Sequence, residues 1–455
     1  MSVKTSPLFT DLYELTMAAV YFEREMFAPA TFSFFVRSYP SNWRFFIFLG
    51  LQEVLDFLEN FSFSEEDLAY LKSLKLFSAD FLDFLRELRF SGDVWAMPEG
   101  AVFFAEEPVL EITAPLPEAQ LIETFVINAL CFQSLIASKA VRNVLAASGR
   151  GVVDFSARRT HGLEAALKVA RASYAVGFSA TSNTLAGQLY GIPVTGTMAH
   201  SYVESFETEI KAFSAFADVF PENTILLLDT YDTLAAAKKA VVVAKALEEK
   251  GKKLKGVRLD SGDLAYLAKK VRQILDDAGL TYVKIFVSGG LDEYEIKKLL
   301  AEGAPIDAFG VGTKVGVSAD APFLDAAYKL VAYDNRPVTK LSHGKKTLAG
   351  PKQVFRLEKN GKFFKDVICL REENYPEGYP LLEKAMEKGK RLIAPPGLCV
   401  LRKAIQQNLE KIPAPFNEVV PPKDSFYPVE YSQLLLSVQK KTEEEIRLKE
   451  VKSAL

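Results

Sequence analysis

The sequence predicts an α/β protein in which a TIM-like parallel α/β barrel is accompanied by an α+β domain. From residue 152 to about 315, short apolar runs alternate with segments of helical periodicity, which is the rhythm of repeated βα units. The segments on either side lack this alternation and combine helices with β-like stretches. At 455 residues the chain exceeds the usual size of a single core, so we expect two domains.

Seven apolar runs in the central segment are the strand candidates. They are VVDF (152–155), YAVGF (174–178), GIPVTG (191–196), TILLLD (224–229), KGVRLD (255–260), VKIFVSGG (283–290) and IDAFGVG (306–312). Two helical segments between them end at Gly251 and Gly279, where a left-handed cap is expected. Seven strands in succession favour a parallel barrel over an open sheet, and the loops after the strands of such a barrel build its active site.

The flanking segments complete the predicted domain organisation. The predicted domains are an α+β domain at 1–115 that is completed by about 330–400, a barrel domain at 116–329 and a helical extension at 401–455. The chain is expected to return to the first domain because strand-like stretches after the barrel include a hairpin with an Asn360-Gly361 turn.

The first helix, Asp11 to Phe22, is expected to bury one stripe and to leave Tyr13 on another side. The predicted buried stripe is Leu12, Leu15, Ala19 and Phe22. Tyr13 is then free to meet a neighbouring molecule, although packing into its own core is the alternative.

Composition excludes several classes of protein. A net charge of −3 gives no basic surface of the kind that neutralises nucleic-acid phosphates. Cys131, Cys369 and Cys399 are isolated, which fits reduced thiols better than disulfides or a zinc site. No apolar stretch approaches ~18 residues and the N-terminus does not resemble a signal peptide, so we expect a cytoplasmic protein without a membrane partner. The glycine patterns of P-loop kinases and Rossmann dehydrogenases are missing from the sequence.

Polar residues end most of the predicted strands and would converge at one mouth of the barrel. They are Asp154, Thr197, His200, Asp229, Asp260, Ser288, Gly312 and Thr313. Aspartates in such positions also cap the helices that follow, and a lone histidine is often a structural residue, so both readings stay open here.

Two glycine-containing loops, VSGGLDEYEI and FGVGTKVG, follow late strands and predict a phosphate site, because free backbone N–H groups at helix starts bind anions. Arginines stand at two other strand ends: Arg158 and Arg159 in DFSARRTHG, and Arg258 in RLDSGDL. Arginine forks suit phosphate or carboxylate groups, and the neighbouring carboxylates suit sugar hydroxyls, Mg²⁺ or a developing cation. Alternatively, these charges neutralise one another in a solvated ring.

Seven blocks of the sequence together resemble the nicotinate phosphoribosyltransferase family. They are TDLYELTMAAVYF, DFSARRTHG, ATSNTLAGQLYGIPVTGTMAHS, LLDTYD, GVRLDSGDL, SGGLDEYEI and FGVGTKVGVS, in this order. The resemblance implies a type II phosphoribosyltransferase fold, in which an irregular α/β barrel lies beside an α+β domain. It also implies the reaction, in which nicotinate and phosphoribosyl pyrophosphate give nicotinate mononucleotide and pyrophosphate, coupled to ATP hydrolysis, in NAD salvage.

The resemblance further implies roles for individual residues. The implied nicotinate site consists of the partner subunit's Tyr13 with Phe155, Asn183, Thr197 and Arg258. The implied phosphoribosyl pyrophosphate site consists of Arg158, Arg159, Ser288, Gly289, Gly290, Gly312 and Thr313. His200 becomes a phosphohistidine at the expense of ATP, Asp229 orients its ring, and Asp260 with Mg²⁺-bound pyrophosphate stabilises a cation-like ribose. A homodimer with shared sites completes the implied enzyme.

Some residues leave alternatives open. Gly290 stands where many relatives have aspartate, so the carboxylate that could hold a ribose hydroxyl is missing at this position. A nicotinamide phosphoribosyltransferase would have aspartate at the position of Asn183, and a degenerate family member would act only as a binding or regulatory protein. A sugar-phosphate aldolase barrel would need Lys314 as its Schiff-base lysine. His161 is the next candidate for the phosphate acceptor after His200.

Overall fold

A computed structural model describes residues 6–342 and 347–451. The chain divides into two compact units. Unit 1 comprises Met1–Leu135 and Phe323–Leu455, and unit 2 comprises Ile136–Pro322. The first division between the units lies between Leu135 and Ile136, inside a long helix at Glu123–Ala147. It therefore falls later in the chain than the predicted boundary near 115. The segment predicted as a separate extension from 401 belongs to unit 1.

Unit 1 begins with a series of helices and short strands. They are α1 (Leu12–Glu23), β1 (Pro29–Val36), β2 (Phe46–Ile47), α2 (Leu51–Glu59), α3 (Glu65–Ser73), α4 (Ala79–Glu87), β3 (Asp93–Ala96), β4 (Val102–Phe103), β5 (Leu110–Pro115), α5 (Leu116–Leu121) and α6 (Glu123–Ala147). Helix α6 is the one helix in the described chain with the length and apolar composition of a membrane span, but 72% of its most apolar window is buried inside the protein. That burial is typical of a core helix.

Helix α1 buries a different stripe from the predicted one. Its buried residues are Glu14, Leu15 and Ala18. Leu12 was expected in the core and is 51% exposed, while Ala19 and Phe22 are half-buried. Tyr13 is 48% exposed, so it does lie outside the core of unit 1.

Glu14 shifts the stripe because its carboxylate has partners inside unit 1. It accepts hydrogen bonds from the hydroxyl groups of Thr10 and Thr124, the latter at 2.6 Å. Burial raises the pKa of Glu14, although these two bonds oppose the shift. A buried polar group is tolerated when it is hydrogen-bonded, and the apolar pattern alone does not reveal such partners.

Unit 2 repeats strands and helices. Its elements are β6 (Gly151–Asp154), α7 (Leu163–Val176), β7 (Ala180–Thr181), α8 (Thr184–Tyr190), α9 (His200–Glu204), α10 (Glu209–Val219), β8 (Ile225–Leu227), α11 (Thr233–Glu249), β9 (Gly256–Leu259), α12 (Leu264–Asp277), β10 (Lys284–Val287), α13 (Glu293–Ala301), β11 (Ala308–Val311) and α14 (Thr313–Gly316). The six strands form one parallel sheet in the order β7-β6-β11-β10-β9-β8. The strand ends therefore meet at one edge, as the βα rhythm predicts.

Two of the seven predicted strands differ in the structure. The YAVGF run is the end of α7, and Gly177 terminates that helix at a φ of +130°. A short apolar run cannot be told from a buried helix segment by its pattern, and the strand comes later, at Ala180–Thr181. The GIPVTG run contributes only an isolated bridge between Val194 and Thr181.

After unit 2 the chain returns to unit 1. The returning elements are β12 (Ala326–Tyr333), β13 (Arg336–Pro337), β14 (Lys352–Lys359), β15 (Lys362–Leu370), β16 (Tyr379–Pro380), β17 (Glu383–Glu387), β18 (Lys390–Arg391), α15 (Leu398–Lys411), β19 (Val429–Tyr431) and α16 (Gln433–Ile446). Strand β12 pairs antiparallel with β1 in a seven-stranded sheet of order β13-β12-β1-β5-β3-β17-β18. The predicted hairpin turn joins β14 to β15, with a φ of +54° at Asn360 and +72° at Gly361.

Candidate active site

The aspartates at the strand ends of unit 2 fall into two groups. Three of them cap the following helices by accepting backbone N–H groups of the first turn. The capping residues are Asp232, Asp263 and Asp292. Asp154, Asp229 and Asp260 do not cap a helix, so the capping explanation accounts for only half of this set.

Asp154 is a structural member of the non-capping group. Its carboxylate accepts from the Ser156 N–H at 2.9 Å and from the Thr181 hydroxyl at 2.8 Å, and the side chain is buried. Burial raises the pKa of Asp154, against the effect of these bonds. Because the carboxylate joins the ends of β6 and β7, it fixes the backbone from which the next residue, Phe155, projects.

His200 is the first residue of α9, and its side chain is 40% exposed. Its Nδ1 lies 3.2 Å from Thr230 Oγ1, and its Nε2 lies 4.0 Å from Asp260 Oδ2. The predicted partner of the ring was Asp229, but the structure has Thr230, the next residue along the chain, at hydrogen-bond distance. The ring is thus held at one nitrogen and faces a carboxylate with the other.

Asp229 is held by a different neighbour. The Ser261 hydroxyl, from the loop after β9, donates to Asp229 Oδ2. Asp229 Oδ1 is buried and has no hydrogen-bond partner among the described residues. Such an atom costs free energy unless a ligand, ion or water satisfies it, which is why it points to a binding site.

Arg258 lies at the centre of the strand-end residues. Its Nη1 donates to Thr197 Oγ1 at 2.7 Å, and its Nη2 lies 3.9 Å from Asp260 Oδ1. Its Cζ lies 6.0 Å from the centroid of the Phe155 ring. Burial lowers the pKa of the Arg258 guanidinium, while the charges of Asp260 and Asp229 oppose that shift. Arginine stays charged in proteins, so the group presents a fixed cation beside an aromatic face.

A second polar atom in this cluster lacks a partner. Arg258 Nε is buried and makes no hydrogen bond within the described parts of the chain. Together with Asp229 Oδ1 it gives the strand ends one open donor and one open acceptor. A polar ligand that carries both kinds of group would satisfy them.

The first glycine loop is shaped by its contact with Asp260. A Cβ on Gly289 would lie 1.8 Å from the Asp260 carbonyl oxygen, and its φ is +94°, so only glycine fits. Gly290 has a φ of +64° and open space around its missing Cβ. The hydroxyl of buried Ser288 donates to Asp260 Oδ1. This loop therefore presents backbone, with little side chain in the way of a ligand.

The second glycine loop runs from Gly312 to Thr313 and begins α14. Thr313 is exposed, and the next residue, Lys314, pairs with Asp292 at 2.8 Å. A cavity of about 470 Å³ lies beside the first glycine loop and Lys314. Its walls include Gly262, Asp263, Gly289, Gly290, Lys298 and Lys314. The amine of Lys314 is thus engaged by Asp292, whereas a Schiff-base lysine must present a free amine to its substrate.

The remaining predicted residues have contacts of their own. Asn183 is the N-cap of α8, where its Oδ1 accepts from the Ala186 N–H at 3.2 Å. Arg158 and Arg159 are exposed on a 3₁₀ turn, and the charge of Arg158 contributes to lowering the pKa of Arg258. Tyr13 belongs to unit 1.

Two residues of the cluster were missed by the sequence interpretation. Thr230 directly follows Asp229 in LLDTYD, and Phe286, in the strand VKIFV, packs against Phe155 with ring centroids 5.7 Å apart. The signal for Thr230 was its place beside a predicted aspartate. Phe286 gave no signal beyond that of an ordinary core residue.

Comparisons with known proteins identify the family of this chain. The nicotinate phosphoribosyltransferase (NAPRTase) N-terminal domain model matches residues 8–131, and the nicotinate phosphoribosyltransferase (NAPRTase) family model matches residues 151–356. These two ranges contain every predicted site residue.

Individual relatives match over most of their length. Nicotinate phosphoribosyltransferase pncB2 of Mycobacterium tuberculosis is 52% identical over 385 residues, which cover 85% of this chain and 82% of that protein. The nicotinate phosphoribosyltransferase of Bacillus subtilis is 37% identical over 458 residues, covering 94% of this chain and 93% of that protein. The crystal structure of human nicotinic acid phosphoribosyltransferase aligns with a TM-score of 0.85 at 29% identity, covering 95% of this chain and 99% of that chain. The chain belongs to the nicotinate phosphoribosyltransferase family.

Proposed function

We propose that this protein transfers the phosphoribosyl group of phosphoribosyl pyrophosphate to nicotinate, giving nicotinate mononucleotide and pyrophosphate in NAD salvage. The observation that carries this proposal is the arrangement of Arg258, Phe155 and Thr197, in which a guanidinium on a side chain that is 13% exposed lies 6.0 Å from an aromatic ring and 2.7 Å from a hydroxyl. An aromatic face suits the pyridine ring, and a guanidinium suits its planar carboxylate.

Nicotinate is the proposed base, in preference to nicotinamide, because Asn183 is neutral. An aspartate ~4 Å from the substrate carboxylate would cost roughly 4 kcal/mol at an effective dielectric constant near 20, and would exclude the acid in favour of the amide. The family membership supports the same choice, since the relatives described above are named for nicotinate or nicotinic acid.

The glycine loops are the proposed site of phosphoribosyl pyrophosphate. Gly289, Gly290, Gly312 and Thr313 offer backbone N–H groups to phosphate oxygens, and Ser288 holds the neighbouring Asp260. Exposed Arg158 and Arg159 would add charge near the same anion.

Mg²⁺ fits the carboxylates of this site. The open oxygen of Asp229 and the carboxylate of Asp260 are the oxygen donors that Mg²⁺ prefers, and they are the residues that would hold a Mg²⁺–pyrophosphate ion. When bound, the cation supplies charge neutralisation of the leaving pyrophosphate. In the transfer step the C1–O bond to pyrophosphate breaks, the pyridine nitrogen bonds to C1, and the Asp260 carboxylate stabilises the positive charge that develops on the ribose.

His200 is the proposed acceptor of the γ-phosphoryl group of ATP. An imidazole nitrogen attacks the γ-phosphorus, ADP leaves, and later hydrolysis of the phosphohistidine yields inorganic phosphate. Thr230 holds the ring at Nδ1, which leaves Nε2 on the side of Asp260 and the proposed pyrophosphate site. In this proposal, phosphorylation and its reversal couple ATP hydrolysis to the transfer.

A cytoplasmic homodimer is the proposed working form. Tyr13 is 48% exposed on α1, which is consistent with a side chain that completes the site of a second copy. Mixing Tyr13→Ala protein with Arg258→Ala protein tests this arrangement. Activity well above that of either parent is expected, because each mixed dimer keeps one intact site, and no recovery would contradict a shared site.

The central test is incubation of the protein with phosphoribosyl pyrophosphate, Mg²⁺ and labelled nicotinate or nicotinamide, with and without ATP. Labelled nicotinate mononucleotide, with kcat/KM far higher for the acid than for the amide, is the expected outcome. Equal kcat/KM for the two bases would contradict the assignment of nicotinate. Binding of nicotinate without any product would favour a degenerate binding protein.

A further inference from the structure

Gly310 lies in the middle of β11 without a backbone reason to be glycine. It is buried, pairs in regular parallel register with Val153 of β6, and does not have the positive φ that favours glycine. Glycine in a strand interior weakens the strand unless something approaches it closely. The cause must therefore be sought in the space that a side chain would occupy.

That space is filled by the ring of Phe155. A Cβ on Gly310 would lie 2.8 Å from both Cδ2 and Cε2 of Phe155, and 3.0 Å from Cζ of Phe286. Contacts this short force a neighbour to move. The added carbon lies closer to the Phe155 ring than to Phe286, and Phe286 is itself packed in the strand interior of unit 2. The Phe155 ring is therefore the group that would move first.

The backbone of Phe155 cannot easily yield instead of the ring. The Phe155 N–H donates to the Val311 carbonyl at 2.7 Å, and the preceding Asp154 carboxylate joins β6 to β7. The ring would have to rotate about its own side-chain bonds, which would change its distance to Arg258, now 6.0 Å from the ring centroid.

We propose that Gly310 is a positioning residue of the base site: by having no side chain, it sets the orientation of the Phe155 ring and through it the affinity for a planar aromatic acid. This inference rests on the proposed function, because Phe155 and Arg258 are the residues proposed to bind nicotinate. Gly310 touches neither the base nor the phosphate groups and acts through the ring alone.

The experiment compares Gly310→Ala with a matched glycine in the neighbouring strand. Gly151 lies in β6, and a Cβ there would lie 3.4 Å from Ser179 Oγ and 3.5 Å from Ala308 Cβ, which are ordinary contacts. We expect Gly310→Ala to raise the KM for nicotinate about 10-fold or more while the KM for phosphoribosyl pyrophosphate stays within about twofold. Gly151→Ala should leave both KM values unchanged. A nicotinate KM within twofold of wild type in Gly310→Ala would overturn the inference.

A second background protects the test against misfolding. Phe155→Leu removes the ring, so adding Gly310→Ala to Phe155→Leu should change the nicotinate KM less than about twofold if Gly310 acts through the ring. A full additional 10-fold loss in that background would overturn the proposal, because Gly310 would then act by another route. If wild-type protein makes no mononucleotide, the proposed function fails, and calorimetric titration with nicotinate decides the inference on the same variants. Weaker binding to Gly310→Ala, but not to Gly151→Ala, supports it, and equal binding overturns it.

Discussion

Two clusters of charged residues in unit 2 differ in how completely their atoms are paired. The strand-end cluster, His200, Asp229, Arg258 and Asp260, leaves one buried oxygen and one buried nitrogen without partners in the described chain. The buried ion network, Lys139, Arg142 and Glu293, pairs Glu293 Oε2 with Lys139 at 2.7 Å and Glu293 Oε1 with Arg142 at 2.9 Å. Lys139 also pairs with Asp320 at 2.5 Å.

The difference separates charge used for structure from charge available to a ligand. In the buried network, Lys139 is 1% and Glu293 0% exposed. The loss of either partner would leave an unpaired charge in the interior. In the strand-end cluster the side chains are partly exposed and two of their atoms lack partners among the described residues, so substitutions there should affect ligands far more than folding. The following substitutions test that separation.

The largest effect is expected from His200→Ala in the strand-end cluster. Nicotinate-stimulated ATP hydrolysis and acid-labile phosphate labelling should fall by about 10³-fold or more, because the proposed nucleophile is gone, while slow ATP-independent transfer remains. The melting temperature should change by less than about 3 °C, since the side chain is 40% exposed. Labelling that persists undiminished would move the acceptor role to another residue, with His161 first.

Glu293→Gln should produce the opposite pattern in the buried network. Removing the charge that Lys139 and Arg142 share should lower the free energy of unfolding by about 3–5 kcal/mol, measured by urea denaturation. Glu302→Gln, at an exposed position just after α13, is the matched control and should change stability by less than about 0.5 kcal/mol. If the two variants are equally stable, the complete pairing of Glu293 does not show that its charge stabilises the fold.

Asn183→Asp tests base selection without loss of a helix cap. Aspartate caps a helix as well as asparagine, so the free energy of unfolding should stay within about 0.5 kcal/mol of wild type. The kcat/KM for nicotinate should fall about 10²-fold or more through charge repulsion, and that for nicotinamide should fall much less. Asn183→Ser, which caps but carries no charge, should keep the preference for the acid. An unchanged preference in Asn183→Asp would remove this residue from the base site.

The smallest effect is expected at Asp292, which caps α13 and pairs with Lys314. Burial alone would raise the pKa of Asp292, but the bonds from Lys314 and from the Glu295 N–H outweigh it and hold the pKa below its ordinary value. The resulting stabilisation is complete above the ordinary pKa near 3.9, and is lost as pH falls through the lower pKa of the folded state.

In Asp292→Asn the free energy of unfolding should fall less steeply than in wild type as the pH is lowered. The difference should be less than about 1 kcal/mol, because Lys314 is 37% exposed and the pair is screened by solvent. Urea denaturation between about pH 2 and 6 measures the effect. If the free energy of unfolding of Asp292→Asn falls with decreasing pH as steeply as that of wild type, the pair does not contribute to stability.

The sequence predicted the parallel strands better than the directions of their side chains. The runs that became β6, β8, β9, β10 and β11 were recognised because strongly apolar stretches ended in polar or glycine residues. The YAVGF run failed because a buried helix end has the same composition as a buried strand.

Within the loops, the pattern placed polar residues at the strand ends but did not give their contacts. The carboxylate of Asp229 bonds to Ser261, and the adjacent Thr230 lies at hydrogen-bond distance from His200. The predicted partner of His200 is therefore wrong by one position, because the course of the backbone after β8, and not residue type, decides which side chain faces the ring. Glu14 is buried in α1 for a similar reason, since the apolar pattern does not show that the hydroxyl groups of nearby Thr10 and distant Thr124 bond to its carboxylate.

The adjacent residues Gly289 and Gly290 should differ strongly in the substitutions that they tolerate. At 289 the backbone of a neighbouring loop already occupies the side-chain position, so in a saturation library every replacement should be purged whatever its polarity. At 290 the direction of a side chain is open and the conformation is one that asparagine and aspartate adopt readily. A lineage can therefore gain or lose an acidic residue at 290 in a single step without repacking, which makes this position a place where related enzymes can diverge while their fold stays fixed.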